Sequence, residues 1–186
     1  LHLAGGLPSG ILSGVRAAGG HRGSMHPLQS FADVDMAVQA LPDTYFFVEG
    51  DPEAQEAMSA LILALDGRPI PIDAASKALY HAGAAVASNF LVTLVDYAVR
   101  LLEQAGVPPE VALQSLLPLI KGTVANLEAV GLPNALTGPI ARGDLGTVKR
   151  HLRALEQTWG GQPSLYRQLA RRTLDVALSK GTISED

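Results

Sequence analysis

Ser76-Lys77-Ala78-Leu79-Tyr80-His81-Ala82-Gly83-Ala84-Ala85-Val86-Ala87-Ser88-Asn89 is the stretch that decides the fold, because the pattern of the chain changes at its start. It places an amine, an imidazole and an amide in an otherwise apolar helix. A side chain that can ionise in such a helix must be desolvated, paired or functional, and each outcome shifts its pKa. The stretch therefore predicts a helix that carries a candidate site.

Upstream of this helix, short strand-like runs alternate with helix-like runs, which predicts an α/β arrangement. The strand-like runs are 1–4, 22–26, 45–48 and 69–72, and the helix-like runs are 11–18 and 52–65. Asp51 followed by Pro52 predicts an N-cap and a first helical residue. Downstream the pattern is helical throughout, with predicted helices at 74–105, 109–130, 144–159 and 163–180. A break at residues 160–163 separates the last two helices. The predicted fold class is α/β followed by all-α.

Composition excludes several classes of function. The chain has 186 residues, 47% of them hydrophobic and 17% charged, with a net charge of -4 and no cysteine. An acidic chain without a basic block is not expected to bind nucleic acid or a membrane surface. The apolar run at about 82–95 is interrupted by Ser88, Asn89 and Thr93, so we expect it to be too short and polar to span a membrane. Lack of cysteine fits a cytoplasmic protein.

The five histidines show no spacing typical of metal ligands, so no metal site is expected. Lys77 and His81 are i,i+4 neighbours on one helix face, and Asn89 lies about 80° round from His81. Asn89 can share a cleft with them only if the helix bends or a substrate spans the gap. Gly83 could permit the bend or let another backbone approach. Lys77 and His81 could also be a snorkelling lysine and a packed histidine, and both interpretations stay open.

Other candidate residues lie outside this helix. His26 follows a strand-like run, where a histidine can bind a substrate carboxylate or act as an acid, or can simply bond to backbone carbonyls. Ser24 and Gln29 are weaker candidates beside it. In the loop at 137–144, Thr137 and Arg142 could line a cleft, and Arg142 suits a carboxylate or phosphate. Asp144 is expected to cap the following helix, and His151 within that helix is expected to be structural.

Three motifs follow one another along the chain, namely Ser24-Met25-His26-Pro27-Leu28-Gln29-Ser30-Phe31, Lys77-Ala78-Leu79-Tyr80-His81-Ala82 and Leu136-Thr137-Gly138-Pro139-Ile140-Ala141-Arg142-Gly143-Asp144. In this order they resemble Rossmann-like oxidoreductases with a DUF2520 helical domain. That family is similar to proteins with a 6-phosphogluconate-dehydrogenase-like C-terminal domain, including prephenate dehydrogenase, ketopantoate reductase and pyrroline-5-carboxylate reductase. The resemblance covers nearly the whole chain. It implies a partial Rossmann-like domain at 1–72 and a helical DUF2520-like domain at 73–186.

The resemblance also implies an NADP or NAD cofactor, although no G-x-G-x-x-G turn is present and the fingerprint is expected upstream of Leu1. Gly5 and Gly6 would end a later strand near the nicotinamide. The resemblance implies that a helix Lys acts together with an Asn one turn later, as in several of these dehydrogenases. In this chain, His81 stands at the position of that Asn. Lys77 and His81 are then the expected proton-transfer or polarising groups, because a donor must stabilise the negative charge that hydride transfer leaves on oxygen.

Two hypotheses remain. The first is an NAD(P)-dependent oxidoreductase acting on a small carbonyl, hydroxyl or imine metabolite in a cleft between the sheet edge and the long helix 74–105. The second is a non-catalytic metabolite-binding or regulatory protein that retains the fold. In both, the helix after residue 109 carries more apolar surface than one helix usually buries, which predicts a homodimer built on the helical domain. The apolar positions are Val111, Leu113, Leu116, Leu117, Leu119 and Ile120.

Overall fold

A computed structural model of the chain describes residues 1–158 and 163–184. They divide into two units, Leu1–Leu94 and Val95–Asp186. The strands are β1 Gly23–Pro27, β2 Tyr45–Gly50 and β3 Arg68–Pro71. The helices are α1 Ser13–Ala17, α2 Val34–Gln39, α3 Pro52–Ala64, α4 Lys77–Ala87, α5 Asn89–Gln104, α6 Pro109–Val130, α7 Leu145–Thr158 and α8 Ser164–Lys180. Predicted helix 144–159 thus corresponds to α7, while residue 159 and the break at 160–162 lie outside the described residues.

The three strands form one mixed sheet in the order β1-β2-β3, with β1 antiparallel to β2 and β2 parallel to β3. The strand predicted at 1–4 is reduced to one parallel bridge. In it, the backbone amide of His2 donates to the carbonyl of Gly23 at 3.1 Å, and the backbone carbonyl of His2 accepts from the Met25 amide at 3.0 Å. Because His2 and β1 run in the same direction, the chain leaves both at the same edge of the sheet. Gly5 and His26 therefore meet there.

The two faces of the sheet differ in chemistry because side chains alternate along each strand. One face carries Met25, Phe46 and Val48, which form the core with two buried side chains of α3, Met58 and Ile62. The register places Ser24 opposite Glu49 and His26 opposite Phe47 on the other face. The polar face therefore holds the sequence-predicted residues of β1.

Asp51 occupies the N-cap position of α3 and Pro52 follows it, but the Asp51 side chain does not cap the helix. Its carboxylate instead accepts from the Arg22 amide at 2.9 Å and from the guanidinium groups of Arg16 and Arg22 at 3.0 and 3.3 Å. The hydrogen bond from the Arg22 amide is the largest cause that lowers the pKa of Asp51. The structure thus confirms Asp51 as the N-cap residue and Pro52 as the first helical residue, but charge-assisted partners hold the carboxylate, which therefore makes no capping hydrogen bond.

The predicted helix 74–105 is two helices, α4 and α5, separated at Ser88, whose φ and ψ are −112° and −72°. Gly83 lies inside α4, and a Cβ built on it meets no described atom within 4 Å. The backbone departs from helical geometry at Ser88, five residues after Gly83. The short helix α2 was not expected from the sequence, although Asp33 caps it by accepting from the amides of Asp35 and Met36.

The helical stretch Ala74–Gln104 has 31 residues and is long and apolar enough to cross a membrane, by length and composition alone. The expectation that this region is too short and polar is therefore wrong, because it considered only the run at 82–95. A single helix of this kind is also found in soluble proteins. Its first turns pack on the sheet, where Lys77 bonds to Ser24 and Tyr80 bonds to His26.

In the second unit, Asp144 caps α7 as predicted. Its carboxylate accepts from the Thr147 amide at 2.9 Å and from the Thr147 hydroxyl at 2.6 Å. These hydrogen bonds are the main cause of the lowered pKa of Asp144. His151 bonds to the Tyr166 hydroxyl at 2.8 Å between α7 and α8. Both residues therefore have structural contacts within the helical unit.

Candidate functional site

Helix α4 lies across the polar face of the sheet and presents Lys77, Tyr80 and His81 to it. These residues share one helix face because they are spaced i, i+3 and i+4. Tyr80 stacks on Phe47 with ring centroids 4.3 Å apart, and His81 meets His26 edge to face at 5.7 Å. The arrangement gathers two imidazoles and a phenol at the end of β1.

His26 is the half-buried imidazole of this group. Its Nδ1 lies 2.7 Å from the Tyr80 hydroxyl oxygen. Burial is the largest cause that lowers the pKa of His26, and the nearby positive charges of His81 and Lys77 lower it further. Both effects favour the neutral imidazole, because desolvation and like charge oppose protonation.

Gly5 allows the two imidazoles to converge. A Cβ built on Gly5 would lie 2.5 Å from His81 Nδ1 and 2.8 Å from His26 Nε2, closer than real Cβ contacts occur. At Gly6 the corresponding position is 3.3 Å from His81 Cδ2. The glycine backbone thus occupies little enough space for both rings to turn toward the same point.

The amine of Lys77 bonds to Ser24 and not to either imidazole. Its side chain is fully buried, and its Nζ donates to Ser24 Oγ at 2.5 Å. Burial lowers the pKa of Lys77, and the charge of Glu49 partly opposes that change. Lys77 therefore forms a buried polar contact with β1 instead of pairing directly with His81.

Glu49 completes the buried polar group around Lys77. It lies opposite Ser24 in the sheet register and is 4% exposed. Its carboxylate accepts from the amide of Ser9 at 2.5 Å and from the Ser9 hydroxyl at 2.8 Å. Because buried charges are costly unless paired and hydrogen-bonded, Ser9 and Lys77 together make this carboxylate tolerable.

A cavity of about 750 Å³ opens beside the imidazole group within the first unit. His26, His81 and Asn89 all line it, so the structure brings Asn89 to the same cavity after the helix breaks at Ser88. Its lining residues are His26, Leu28, Gln29, Ser30, Phe47, Tyr80, His81, Gly83, Ala84, Ala85, Ala87, Ser88, Asn89, Leu91 and Val92. Lys77 and Ser24 are not among the lining residues.

Thr137 and Arg142 belong to the second unit. Thr137 is exposed there. Arg142 lines a separate cavity of about 610 Å³ together with Asp144, Arg167 and Arg171. Arg142 thus lies among charged groups of the helical unit.

Tyr80, Glu49 and Ser9 are the contacts that sequence reasoning missed. Tyr80 could have been found from its i+3 spacing to Lys77, the same periodicity that indicated His81. Glu49 was visible as a carboxylate inside an apolar strand run, which demands a partner when buried. The Ser9 contact had no local signal, because 40 residues separate Ser9 from Glu49.

The residues at the site can be compared with what a metal ion and a nucleotide cofactor require. Within residues 1–158 and 163–184, no group of three His, Cys, Asp or Glu side chains could hold a metal ion. Gly5 and Gly6 do not form a phosphate-binding turn. The space beside Gly5 is filled by the imidazole rings of His26 and His81, so the cofactor contact expected of Gly5 and Gly6 stays a prediction.

Comparison with known proteins places this geometry in a family. The model of a domain of unknown function, DUF2520, matches residues 44–173. The solved structure of TM1727 from Thermotoga maritima is 29% identical, with a TM-score of 0.81 over 97% of this chain and 69% of that one. BF3122 from Bacteroides fragilis, described as a candidate NADP oxidoreductase, is 26% identical, with a TM-score of 0.71 over 94% and 64%. No curated protein matches the chain.

A more distant likeness supports the same fold. Pyrroline carboxylate reductase from Plasmodium falciparum, solved with NADP bound, is 14% identical, with a TM-score of 0.58 over 98% of this chain and 69% of that one. The likenesses confirm the predicted fold class, a partial Rossmann-like sheet followed by a helical domain. This chain spans between 64% and 69% of the length of these three structures.

Proposed function

The chain belongs to the DUF2520 family, as its motifs suggested, and from that premise we propose that it is part of an NAD(P)-dependent oxidoreductase. Its substrate is a small carbonyl, hydroxyl or imine metabolite. One observation carries the proposal, namely that His26 and His81, which approach each other beside Gly5, both line the cavity of about 750 Å³. The likeness to BF3122, described as a candidate NADP oxidoreductase, supports the class of reaction.

The proposed substrate site is the cavity between the edge of β1 and helix α4 with the start of α5. Apolar side chains and small residues form much of its lining, and the polar groups are confined to a few positions. Small-molecule sites commonly have this composition, since the few polar groups fix the orientation of the ligand. Asn89 and Gln29 both line the cavity, and their amide groups can orient the substrate.

The bound cofactor would supply the hydride to the substrate carbon. Reduction of a carbonyl places negative charge on its oxygen, and donors aimed at that oxygen stabilise the charge as it develops. His81 is exposed, so it can exchange protons with water and return one to the product oxygen or nitrogen. His26, held neutral by its surroundings, donates a hydrogen bond from the same side.

Lys77 enters the proposal as a positioning residue. Its buried Nζ holds Ser24, and its charge helps to lower the pKa of His26. Direct proton transfer by Lys77, as its helix spacing predicted, would require this side chain to leave Ser24. Burial at 0% exposure favours the supporting role.

The test combines nucleotide binding with turnover. NADPH and NADH are titrated against the full-length protein, and NADPH oxidation is then followed with a panel of small keto acids, aldehydes and cyclic imines. His81→Ala should reduce turnover about 10² to 10⁴-fold with unchanged nucleotide affinity, since general acid catalysis contributes about that much. His151→Ala, which removes a histidine bonded to Tyr166 in the second unit, is the matched control.

Three results would count against parts of the proposal. Failure to bind either nucleotide contradicts the oxidoreductase assignment. Nucleotide binding without turnover on any substrate favours the metabolite-binding protein instead. Equal losses in His81→Ala and His151→Ala would remove His81 from the reacting groups.

A further inference from the structure

The contact between His26 and Tyr80 links the cavity to helix α4. The Tyr80 hydroxyl oxygen lies 2.7 Å from His26 Nδ1. The rings meet edge on, at an interplanar angle of 80°. This distance is typical of a hydrogen bond from a hydroxyl donor.

The ring of Tyr80 is held against the sheet. Its ring stacks on Phe47, directly opposite His26 in the sheet register. Burial raises the pKa of Tyr80 to about 12. The phenol therefore keeps its proton at neutral pH and can donate it to an imidazole nitrogen.

His26 has a single ring proton when it is neutral, as its surroundings favour. The proton resides on one nitrogen, and the other nitrogen accepts. A phenol is a strong donor and an imidazole nitrogen a strong acceptor, so the better pairing places the Tyr80 proton in the bond to Nδ1. The ring proton of His26 is then on Nε2.

Nε2 is the nitrogen that faces the convergence point. A Cβ on Gly5 would lie 2.8 Å from it, and the same position is 2.5 Å from His81 Nδ1. His26 also lines the cavity. An N–H at Nε2 therefore lies on the side of the His26 ring that is turned toward His81, the other imidazole that lines the cavity.

We propose that Tyr80 is a positioning residue that fixes His26 as its Nε2–H tautomer, so that His26 offers a permanent hydrogen-bond donor to an acceptor atom of the substrate. The role toward substrate rests on the proposed function, whereas the tautomer does not. A substrate atom that approaches Nε2 from the cavity must be an acceptor, such as a carbonyl or carboxylate oxygen. The two imidazoles then have different roles, since His26 donates a fixed hydrogen bond and His81 exchanges protons.

The test is the tautomer of His26, read from ¹⁵N chemical shifts of the histidine rings at neutral pH in the full chain. We expect protonated Nε2 and unprotonated Nδ1 in the unmodified protein. Tyr80→Phe removes only the hydroxyl, and we expect averaged shifts that indicate both tautomers. Tyr166→Phe is the matched control, because it removes the hydroxyl bonded to His151 and should leave the His26 signals unchanged.

A protonated Nδ1 in the unmodified protein, or unchanged His26 signals in Tyr80→Phe, would overturn the proposal. A substrate identified by the turnover screen adds a second measurement, in which Tyr80→Phe should lower kcat/KM by up to about tenfold while Tyr166→Phe does not. An Nε2–H tautomer that depends on Tyr80, without any turnover, would retain the tautomer and overturn the role toward substrate. In that case the proposed function fails independently.

Discussion

The close approach of the His26 and His81 imidazoles depends on a residue without a side chain, Gly5. Gly5 is buried at the point where they converge. The absence of a Cβ at Gly5 is therefore the local condition for their contact.

Gly5→Ala should separate the two rings. Its Cβ would lie 2.5 Å from His81 Nδ1 and 2.8 Å from His26 Nε2, so the exposed His81 side chain must rotate away. We expect loss of the nuclear Overhauser contact between the rings and a destabilisation of about 1–3 kcal/mol, typical of overpacking. Gly10→Ala is the control, because nothing lies within 4 Å of a Cβ there. An unchanged contact with unchanged stability would contradict this account of Gly5.

His26 should make stability depend on pH. Its pKa in the folded protein lies below the ordinary value of 6.5. As the pH falls through about 6.5, the unfolded chain takes up a proton before the folded protein does, so stability decreases with acidification. His26→Gln removes this contribution, and its urea midpoint should fall less between pH 7.5 and pH 5.5 than that of the unmodified protein. Parallel curves for the two proteins would contradict the lowered pKa.

At the scale of elements, two glycines differ in what their positions require. Gly50 ends β2 with φ at 139°, and a Cβ there would clash with the Gly23 Cα and with the Arg22 carbonyl oxygen. Gly83 is an ordinary residue of α4 with no described atom near its Cβ position. Strand pairing therefore needs the first glycine, whereas α4 does not need the second.

The paired substitutions Gly50→Ala and Gly83→Ala test this difference. We expect Gly50→Ala to destabilise the protein by more than about 2 kcal/mol, because backbone strain and a backbone clash occur together. Gly83→Ala should stabilise it by roughly 0.5–1 kcal/mol, since alanine is the better helix former. Urea denaturation measures both. A loss of stability in Gly83→Ala would show that the glycine permits a bend or a close approach after all.

At the scale of the whole molecule, α6 exposes apolar side chains along much of its length. Leu119 is 67% exposed, and Val111, Leu113 and Leu117 are also exposed. Several exposed apolar side chains on one helix are typical of an association surface. The homodimer expected from the sequence stays a prediction, as does the cytoplasmic location.

Sedimentation equilibrium at micromolar concentration measures the molar mass of the protein and so tests for the homodimer. We expect the unmodified chain to sediment as a dimer and Leu119→Lys to sediment as a monomer, because a charge on the association surface cannot be buried cheaply. Gln168→Lys, at an exposed polar position of α8, is the control and should remain dimeric. A monomeric unmodified chain, or a dimeric Leu119→Lys, would contradict an interface on α6.

Local patterns in the sequence were sufficient for most elements and for the family. Residues 52–65 and 109–130 were predicted as helices and correspond to α3 and α6. Such elements follow from periodicity and end signals, which involve residues close together in the chain. The motifs around His26, Lys77 and Arg142 identified the family for the same reason, since each is a short contiguous stretch.

The composition of the candidate site was decided only by tertiary structure. Helix periodicity placed Lys77 and His81 on one face of α4, and no local rule could separate them further. The strand register then puts Ser24 and Glu49 beneath Lys77, and puts His26 and Phe47 beneath Tyr80 and His81. Residue spacing is a property of neighbours along the chain, whereas the partner of a buried lysine depends on which distant strand lies under it. The sequence therefore determined the helix by itself. The tertiary structure alone decided that Lys77 is buried against the sheet while His26 and His81 line a cavity.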